Sequence, residues 1–210
     1  MRTYLLFFLF LIFSGGKLSA QIKAVTETGD EVILFDDGTW NYLNKDDDSA
    51  KVILLNPTVF TRGEDATFLL KSTVIPAGIW LDPKKWTFQK NTGDTDEEYE
   101  LKLKEGDVFA IIITEEVELS PDALRKIVVS NAREAGSNFH ILKEEDRMVN
   151  GRKVLMLNMT ATIQGIKVFY FGYYVSDPSG TVQFVTYTTQ NLADKYYSTM
   201  EELLNGLVKL

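Results

Sequence analysis

Cysteine is absent from the 210 residues, and histidine occurs once, as His140. Without cysteine the chain forms no disulfide and has no thiolate to act as nucleophile or metal ligand. The same absence excludes a bacterial lipoprotein, whose anchor is attached to a cysteine. A zinc site would have to combine His140 with carboxylates alone, which is not the usual donor set for zinc.

The first 20 residues have the three parts of a secretory signal. Arg2 precedes an apolar run from Tyr4 to Phe13, and a tract rich in small residues follows as far as Ala20. The run is about half of the ~20 residues that a membrane-spanning helix needs, so we expect no stable membrane insertion after cleavage. The segment at 18–21, Leu-Ser-Ala-Gln, resembles the cleavage region of exported Bacteroidetes proteins. These features predict a periplasmic or secreted protein.

Acidic residues outnumber basic ones by 30 to 22, and cleavage after Ala20 would remove two of the bases, Arg2 and Lys17. The net charge of the remaining chain is then about −10, from 20 bases and 30 acids. Such a charge argues against binding to nucleic acid and to anionic lipid surfaces, both of which require neutralising phosphates. It permits cations or basic partners.

A small β-meander is predicted over residues 22–43. Its second turn contains Asp36-Asp37-Gly38, and aspartate followed by glycine between apolar runs is a strong hairpin signal. Trp40 and Tyr42 fall on one face of the third strand, which we expect to pack on the main body or on a partner. The spacing of the aspartates does not match an EF-hand loop. Residues 44–51, NKDDDSAK, are predicted to be an acidic linker.

The main domain is predicted to span residues 52–210 and to combine strands with two helices. Ser120, Pro121 and Gly136 are typical of the two ends of a helix, and Asn150-Gly151 is typical of a hairpin turn. The predicted strands are Val52–Leu55, Thr67–Thr73, Ile79–Leu81, Trp86–Gln89, Tyr99–Leu103, Phe109–Thr114, Phe139–Val149, Lys153–Ile163, Ile166–Ser176 and Thr181–Thr189. A closing helix is predicted over Leu192–Val208. The fold class is therefore α+β: a curled antiparallel β-sheet flanked by helices, with the small N-terminal three-stranded meander.

The order of these elements resembles the PsbP-like superfamily. The resemblance rests on AGIWLDPKKW, on the helix SPDALRKIVVSNAREAG, on the meander NGRKVLMLNMTATIQGIKVFYFGYYVS, on GTVQFVTYTT and on the closing helix. The superfamily includes the extrinsic P subunit of photosystem II, a Ran-binding nuclear import factor and DcrB-type envelope proteins. Membership implies a non-catalytic assembly or accessory module and supplies no catalytic residue. Separately, VILFDDGTWNY resembles a short DGTW-type hairpin of exported Bacteroidetes proteins.

Motifs for catalysis are few. The sequence has no Gly-x-Ser-x-Gly elbow, no phosphate-binding glycine loop and no His-Glu-x-x-His. Two carboxylate groups, Glu115-Glu116 and Glu144-Glu145-Asp146, could face each other across a cleft and act as acid and base. Solvated charges with Arg147 as counter-ion would explain the same residues.

A calcium site is one interpretation of NTGDTDEEYE. Asp94, Asp96, Glu98 and Glu100 alternate, so an extended segment would place their carboxylates on one face, and a curled loop could gather their oxygens around calcium. An acidic surface loop explains the same residues. We expect no other cofactor.

Aromatic side chains are concentrated in VFYFGYYV, residues 168–175. Tyr170 and Tyr174 alternate with Phe169, Phe171 and Tyr173, so both faces of this strand are aromatic. One face is expected under the helices, and the other either beneath the small meander or open. The candidate binding residues are Trp40, Tyr42, Trp80, Trp86, Tyr170, Tyr173, Tyr174 and Tyr187. Core packing explains the same residues.

Three functions follow from these patterns. The first is an exported, non-enzymatic binding or assembly module of the bacterial cell envelope that acts on an envelope protein partner. The second is a small-ligand or lipid carrier with an aromatic pocket between sheet and helix. The third is a hydrolase, which requires carboxylates that converge in a cleft.

Overall fold

The computed structural model describes residues 22–25, 31–34, 38–42, 53–93 and 95–210. The chain divides into two compact units, Met1–Lys51 and Val52–Leu210. The predicted signal segment, the predicted linker at 44–51 and Asp94 lie outside the described residues.

The smaller unit contains the three-stranded meander. Strands β1 (Ile22–Val25), β2 (Glu31–Leu34) and β3 (Trp40–Tyr42) form an antiparallel sheet in the order β1-β2-β3. Gly38, which precedes β3, has a φ of +82°, a value that glycine adopts without steric cost. The predicted meander is therefore confirmed.

The larger unit contains two sheets and two helices. Its strands are β4 (Leu55–Phe60), β5 (Phe68–Lys71), β6 (Ala77–Leu81), β7 (Trp86–Lys90), β8 (Glu97–Leu103), β9 (Phe109–Glu115), β10 (Ser137–Val149), β11 (Arg152–Ile163), β12 (Ile166–Asp177), β13 (Gly180–Thr189) and β14 (Leu207–Lys209), and its helices are α1 (Pro121–Ala135) and α2 (Ala193–Leu204). The large sheet has the order β4-β10-β11-β12-β13-β9-β8-β7, and the second sheet has the order β14-β6-β5. Every neighbouring pair is antiparallel except β4 and β10. The α+β fold class is confirmed, and the large sheet does not close into a barrel.

Local signals define the elements that the sequence predicts best. The Ser120 hydroxyl accepts a hydrogen bond from the Ala123 amide at 3.2 Å and caps α1. At the other end of α1, a Cβ on Gly136 would lie 2.7 Å from the Thr162 carbonyl oxygen, so the chain passes too close for a side chain. Asn150 and Gly151 both have positive φ, as the two-residue hairpin between β10 and β11 requires.

Two predicted boundaries are wrong. Strand β4 covers Leu55–Phe60 where the sequence predicted a strand over Val52–Leu55, and it therefore includes Asn56-Pro57. Proline is tolerated there because β4 lies at the edge of the sheet. Helix α2 ends at Leu204 rather than Val208, since the Gly206 carbonyl accepts a hydrogen bond from the Trp80 amide and the chain continues as strand β14 beside β6.

Each face of the large sheet has its own apolar core. On one face, Phe171, Phe184 and Tyr173 pack with α2 and the second sheet. On the other face, Leu157, Met159 and Tyr174 pack with α1. The alternation predicted for β12 is thus confirmed, and each helix covers a different face.

Candidate functional site

Helix α1 packs over β10, β11 and β12, and the same face of the sheet continues into β13, β9 and β8. Cross-strand pairing there aligns Tyr170 of β12 with Tyr187 of β13, Tyr187 with Phe109 of β9, and Phe109 with Lys102 of β8. Residues directly opposite each other on one face are close enough for side-chain contact. We call Tyr170, Tyr187 and Phe109 the aromatic row.

The rings of the aromatic row contact one another. The centroids of Phe109 and Tyr187 are 5.6 Å apart in a stacked arrangement, and those of Tyr170 and Tyr187 are 6.1 Å apart. The Lys102 ammonium lies 5.6 Å from the centroid of Phe109, within the range of a cation–π contact. All three rings are half-buried, so one side of the row faces solvent.

Two isoleucines extend this surface along β9. Ile111 and Ile113 follow Phe109 on the same face and are also half-buried. Glu100 is paired with Ile111 and Glu97 with Ile113, so two carboxylates flank the apolar side chains on the β8 side. We define the open face as Phe109, Ile111, Ile113, Tyr170 and Tyr187, with Glu97, Glu100 and Lys102 as its rim.

The rim carboxylates act electrostatically on the aromatic row. Burial raises the pKa of the Tyr187 hydroxyl, and the charges of Glu100 and Glu97 raise it further. Burial also raises the pKa of Tyr170. Both hydroxyls therefore remain protonated at neutral pH and can donate a hydrogen bond.

Gly172 and Tyr174 form the border between the open face and the α1 core. Tyr174 is buried, and a Cβ on Gly172 would lie 2.4 Å from its hydroxyl oxygen. The Tyr174 ring therefore occupies the space that a side chain at position 172 would take. Gly172 thus permits the close approach of this ring within the fold.

Several predicted binding residues lie in the cores and not on a surface. Trp86 and Tyr173 are buried in the α2 core, and Tyr174 is buried in the α1 core. The Tyr173 hydroxyl accepts a hydrogen bond from Arg147 at 2.8 Å and donates one to Asn205 at 2.9 Å. Tyr173 and Tyr174 do not form one exposed face, because α2 covers the first and α1 covers the second.

The remaining predicted aromatics lie elsewhere. Trp80 is half-buried on β6, with the Arg62 guanidinium 4.2 Å from its ring centroid. Trp40 belongs to the smaller unit and is 47% exposed, and the side chain of Tyr42 lies outside the described residues. Of the eight predicted residues, Tyr170 and Tyr187 are brought together on the open face.

The carboxylates proposed for calcium are separated by a bulge between Glu97 and Tyr99. Glu98 turns inward, where Ser72, Thr73 and Thr114 donate hydrogen bonds to its carboxylate at 2.5–2.9 Å. Glu100 and Asp96 are exposed. Within the described part of the chain, no three acidic or histidine side chains are grouped so that they could hold a metal ion. Since Asp94 lies outside that part, calcium binding stays a prediction.

The carboxylates considered for a hydrolase do not converge in a cleft. Glu144 is paired with Arg125, Glu145 with Arg147, and Glu115 and Glu116 are exposed at the end of β9. Strands β9 and β10 are separated by three others, which corresponds to about 19 Å at the usual strand spacing. His140 lies half-buried on β10.

Sequence reasoning did not select Phe109, Ile111 and Ile113 as surface residues. Period-two spacing in FAIIITE places the three on one face of a strand. The missing information is the neighbour of that strand, because β9 pairs with β13 across a separation of about 70 residues. No local signal encodes this pairing.

Comparison with known proteins supports the fold. No family model and no curated protein matches the chain. The solution structure of cyanobacterial PsbP (CyanoP) from Synechocystis sp. PCC 6803 matches with a TM-score of 0.53 and 12% identity, over 70% of this chain and 95% of that chain.

Two crystal structures also match, with TM-scores below 0.5. They are protein PA94 from Pseudomonas aeruginosa (0.45, 11% identity, 68% of this chain and 96% of that one) and LpqN of Mycobacterium tuberculosis, involved in cell envelope biogenesis (0.48, 9% identity, 67% and 88%). At these identities the likeness concerns architecture alone, and the chain has a PsbP-like fold.

In the described residues, no helix is long and apolar enough to cross a membrane.

Proposed function

We propose that the protein is an exported, non-enzymatic binding or assembly module of the cell envelope, and that its binding surface is the open face. The observation that carries this proposal is the aromatic row, in which three contacting rings remain half-exposed on a regular strand surface. Tyrosine and phenylalanine are enriched at protein interfaces because they bury much apolar area with little loss of conformational entropy. The secretory features of residues 1–20 support export.

The carrier hypothesis receives less support from the packing. A carrier would hold its ligand between sheet and helix, but Phe171, Tyr173, Met200 and Leu204 fill the contact between α2 and the large sheet and are 0% exposed. A ligand there would have to displace close-packed side chains. The open face requires no such rearrangement.

The test compares variants on opposite faces of the sheet. The double variant Tyr187→Ser with Phe109→Ser removes two rings of the open face. The control, Phe88→Ser, removes an aromatic ring that is 43% exposed on the opposite face. Tagged protein from native envelope extracts is sized by gradient centrifugation beside the purified recombinant protein. We expect a complex larger than the purified protein, lost in the double variant and retained in Phe88→Ser.

Two results would overturn this proposal. One is a wild-type protein that sediments like the purified chain. The other is equal loss of the complex in both variants. Thermal unfolding of each variant excludes loss through misfolding.

A further inference from the structure

We propose that the open face docks a basic segment of a protein partner, with an arginine or lysine side chain seated on Tyr187 between the aromatic row and the carboxylates of Glu97 and Glu100. This inference rests on the proposed function and specifies the chemistry of the partner. Three features of the described residues support it.

The first feature is the way this chain holds its own cations on aromatic rings. Guanidinium groups lie 4.2 Å from the ring centroids of Trp80 and Phe60, and the Lys102 ammonium lies over Phe109 in the open face itself. The row continues from Phe109 to Tyr187 and Tyr170, whose outer sides face solvent. A cation placed on Tyr187 would extend an arrangement that Lys102 already begins.

The second feature is the placement of the carboxylates. On β8, Glu100 and Glu97 lie opposite Ile111 and Ile113, next to the end of the row at Phe109, and their charges raise the pKa of the Tyr187 hydroxyl. A cation between a ring face and two carboxylates gains both a cation–π contact and charge-assisted hydrogen bonds. Arginine suits this geometry well because its planar guanidinium stacks on a ring while its edge donates to a carboxylate.

The third feature is the charge balance. Two carboxylates and one ammonium form the rim, and the whole chain carries 30 acidic against 22 basic residues. Net negative charge accelerates the approach of a basic partner and disfavours acidic ones. Lys102 opposes a basic segment locally, so its removal should strengthen docking.

The experiment titrates the purified protein with an acetylated, amidated glycine–arginine repeat peptide, followed by NMR chemical shifts and calorimetry. The matching glycine–glutamate peptide serves as the opposite-charge probe. We expect the arginine peptide to shift resonances of Tyr187, Tyr170 and Phe109, and the glutamate peptide to leave them unchanged. Glu97→Gln with Glu100→Gln should weaken affinity about fivefold or more, and Lys102→Met should raise it about twofold.

The control variant changes net charge equally on the other side of the sheet. Glu64→Gln with Asp65→Asn removes two exposed charges from the loop before β5, where Gly63 approaches Glu202 of α2. Its affinity should match that of the wild type. The inference is overturned if this control weakens binding as much as the rim variant, or if both peptides bind alike.

Failure of this inference is distinguishable from failure of the proposed function. If the native complex depends on Tyr187 and Phe109 but the arginine peptide shifts neither residue, the partner is not basic and the binding surface stands. If the native complex is independent of both residues, the surface and the partner chemistry fail together.

Discussion

The two faces of the large sheet differ in how deeply their side chains are buried, although the same strands supply both. In β9, Ala110, Ile112 and Thr114 are buried on the α2 side, and Phe109, Ile111 and Ile113 are half-buried on the other side. The first set faces a core closed by α2 and the second sheet. The second set lies on a strand beside those that α1 covers, and only its member Ile111 packs against the edge of the α1 core. One face is therefore closed by a core, and the other leaves apolar area half-exposed, which is the basis of the proposed binding surface.

The sharpest test of this comparison removes one ring from each face. Phe171→Ala should lower the free energy of unfolding by about 4 kcal/mol, because it leaves a cavity among fully buried side chains. Phe109→Ala should cost about 1 kcal/mol, since its ring is already half-exposed. Urea unfolding of both variants measures the two values. Equal losses would mean that the open face is as much a core as the α2 face.

A second comparison removes a cation from each face. Arg147 is buried in the α2 core, donates to Glu145, Tyr173 and Glu201 at 2.7–2.8 Å, and lies over Phe60. Arg147→Ala should lower the free energy of unfolding by about 3 kcal/mol, because it leaves the hydrogen-bond partners of this arginine without their cation. Lys102→Ala should cost about 0.5 kcal/mol or less, because the Lys102 side chain is exposed. Equal shifts of the denaturant midpoint in the two variants would contradict the assignment of Arg147 to a core and of Lys102 to an exposed surface.

The border between the faces is tested by Gly172→Ala. Its Cβ would meet the Tyr174 hydroxyl oxygen at 2.4 Å, so the ring must shift toward α1 or the open face. We expect a loss of about 2 kcal/mol in unfolding free energy, typical of an overpacked core, together with NMR shift changes at Tyr170. Tyr174→Leu in the same background should restore part of the loss. Absence of any effect would show that the border is loosely packed.

The smallest expected effect lies at the end of β12, outside both faces. Burial acts to raise the pKa of Asp177, but hydrogen bonds from Lys209 and Ser179 and the charge of Arg152 together lower it from 3.8 to about 2. Because the folded pKa is lower than the unfolded pKa, Asp177 stabilises the fold above pH 3.8 and loses that contribution as the pH falls toward 2. Urea midpoints between these values should fall more steeply for the wild type than for Asp177→Asn. Parallel curves would refute the depressed pKa.

Local sequence information predicted the parts of the fold that short-range chemistry determines. Ser120 and Gly136 define the ends of α1, and Asn150-Gly151 defines the hairpin between β10 and β11, so these predictions are confirmed. The pairing of β9 with β13, which places Phe109 beside Tyr187, depends on contacts distant in sequence and was not predictable. For the same reason, the pattern of β12 could not show that Tyr173 and Tyr174 are each covered by a different helix.

The central claim is that the open face is the binding surface, and site-specific photo-crosslinking tests it most directly. p-Benzoylphenylalanine is placed at position 187 or, as a matched control, at position 88, in protein expressed in its native cells. We predict that irradiation gives a discrete crosslinked species from position 187 and none from position 88. Crosslinking from position 88 but not from position 187 would contradict the account.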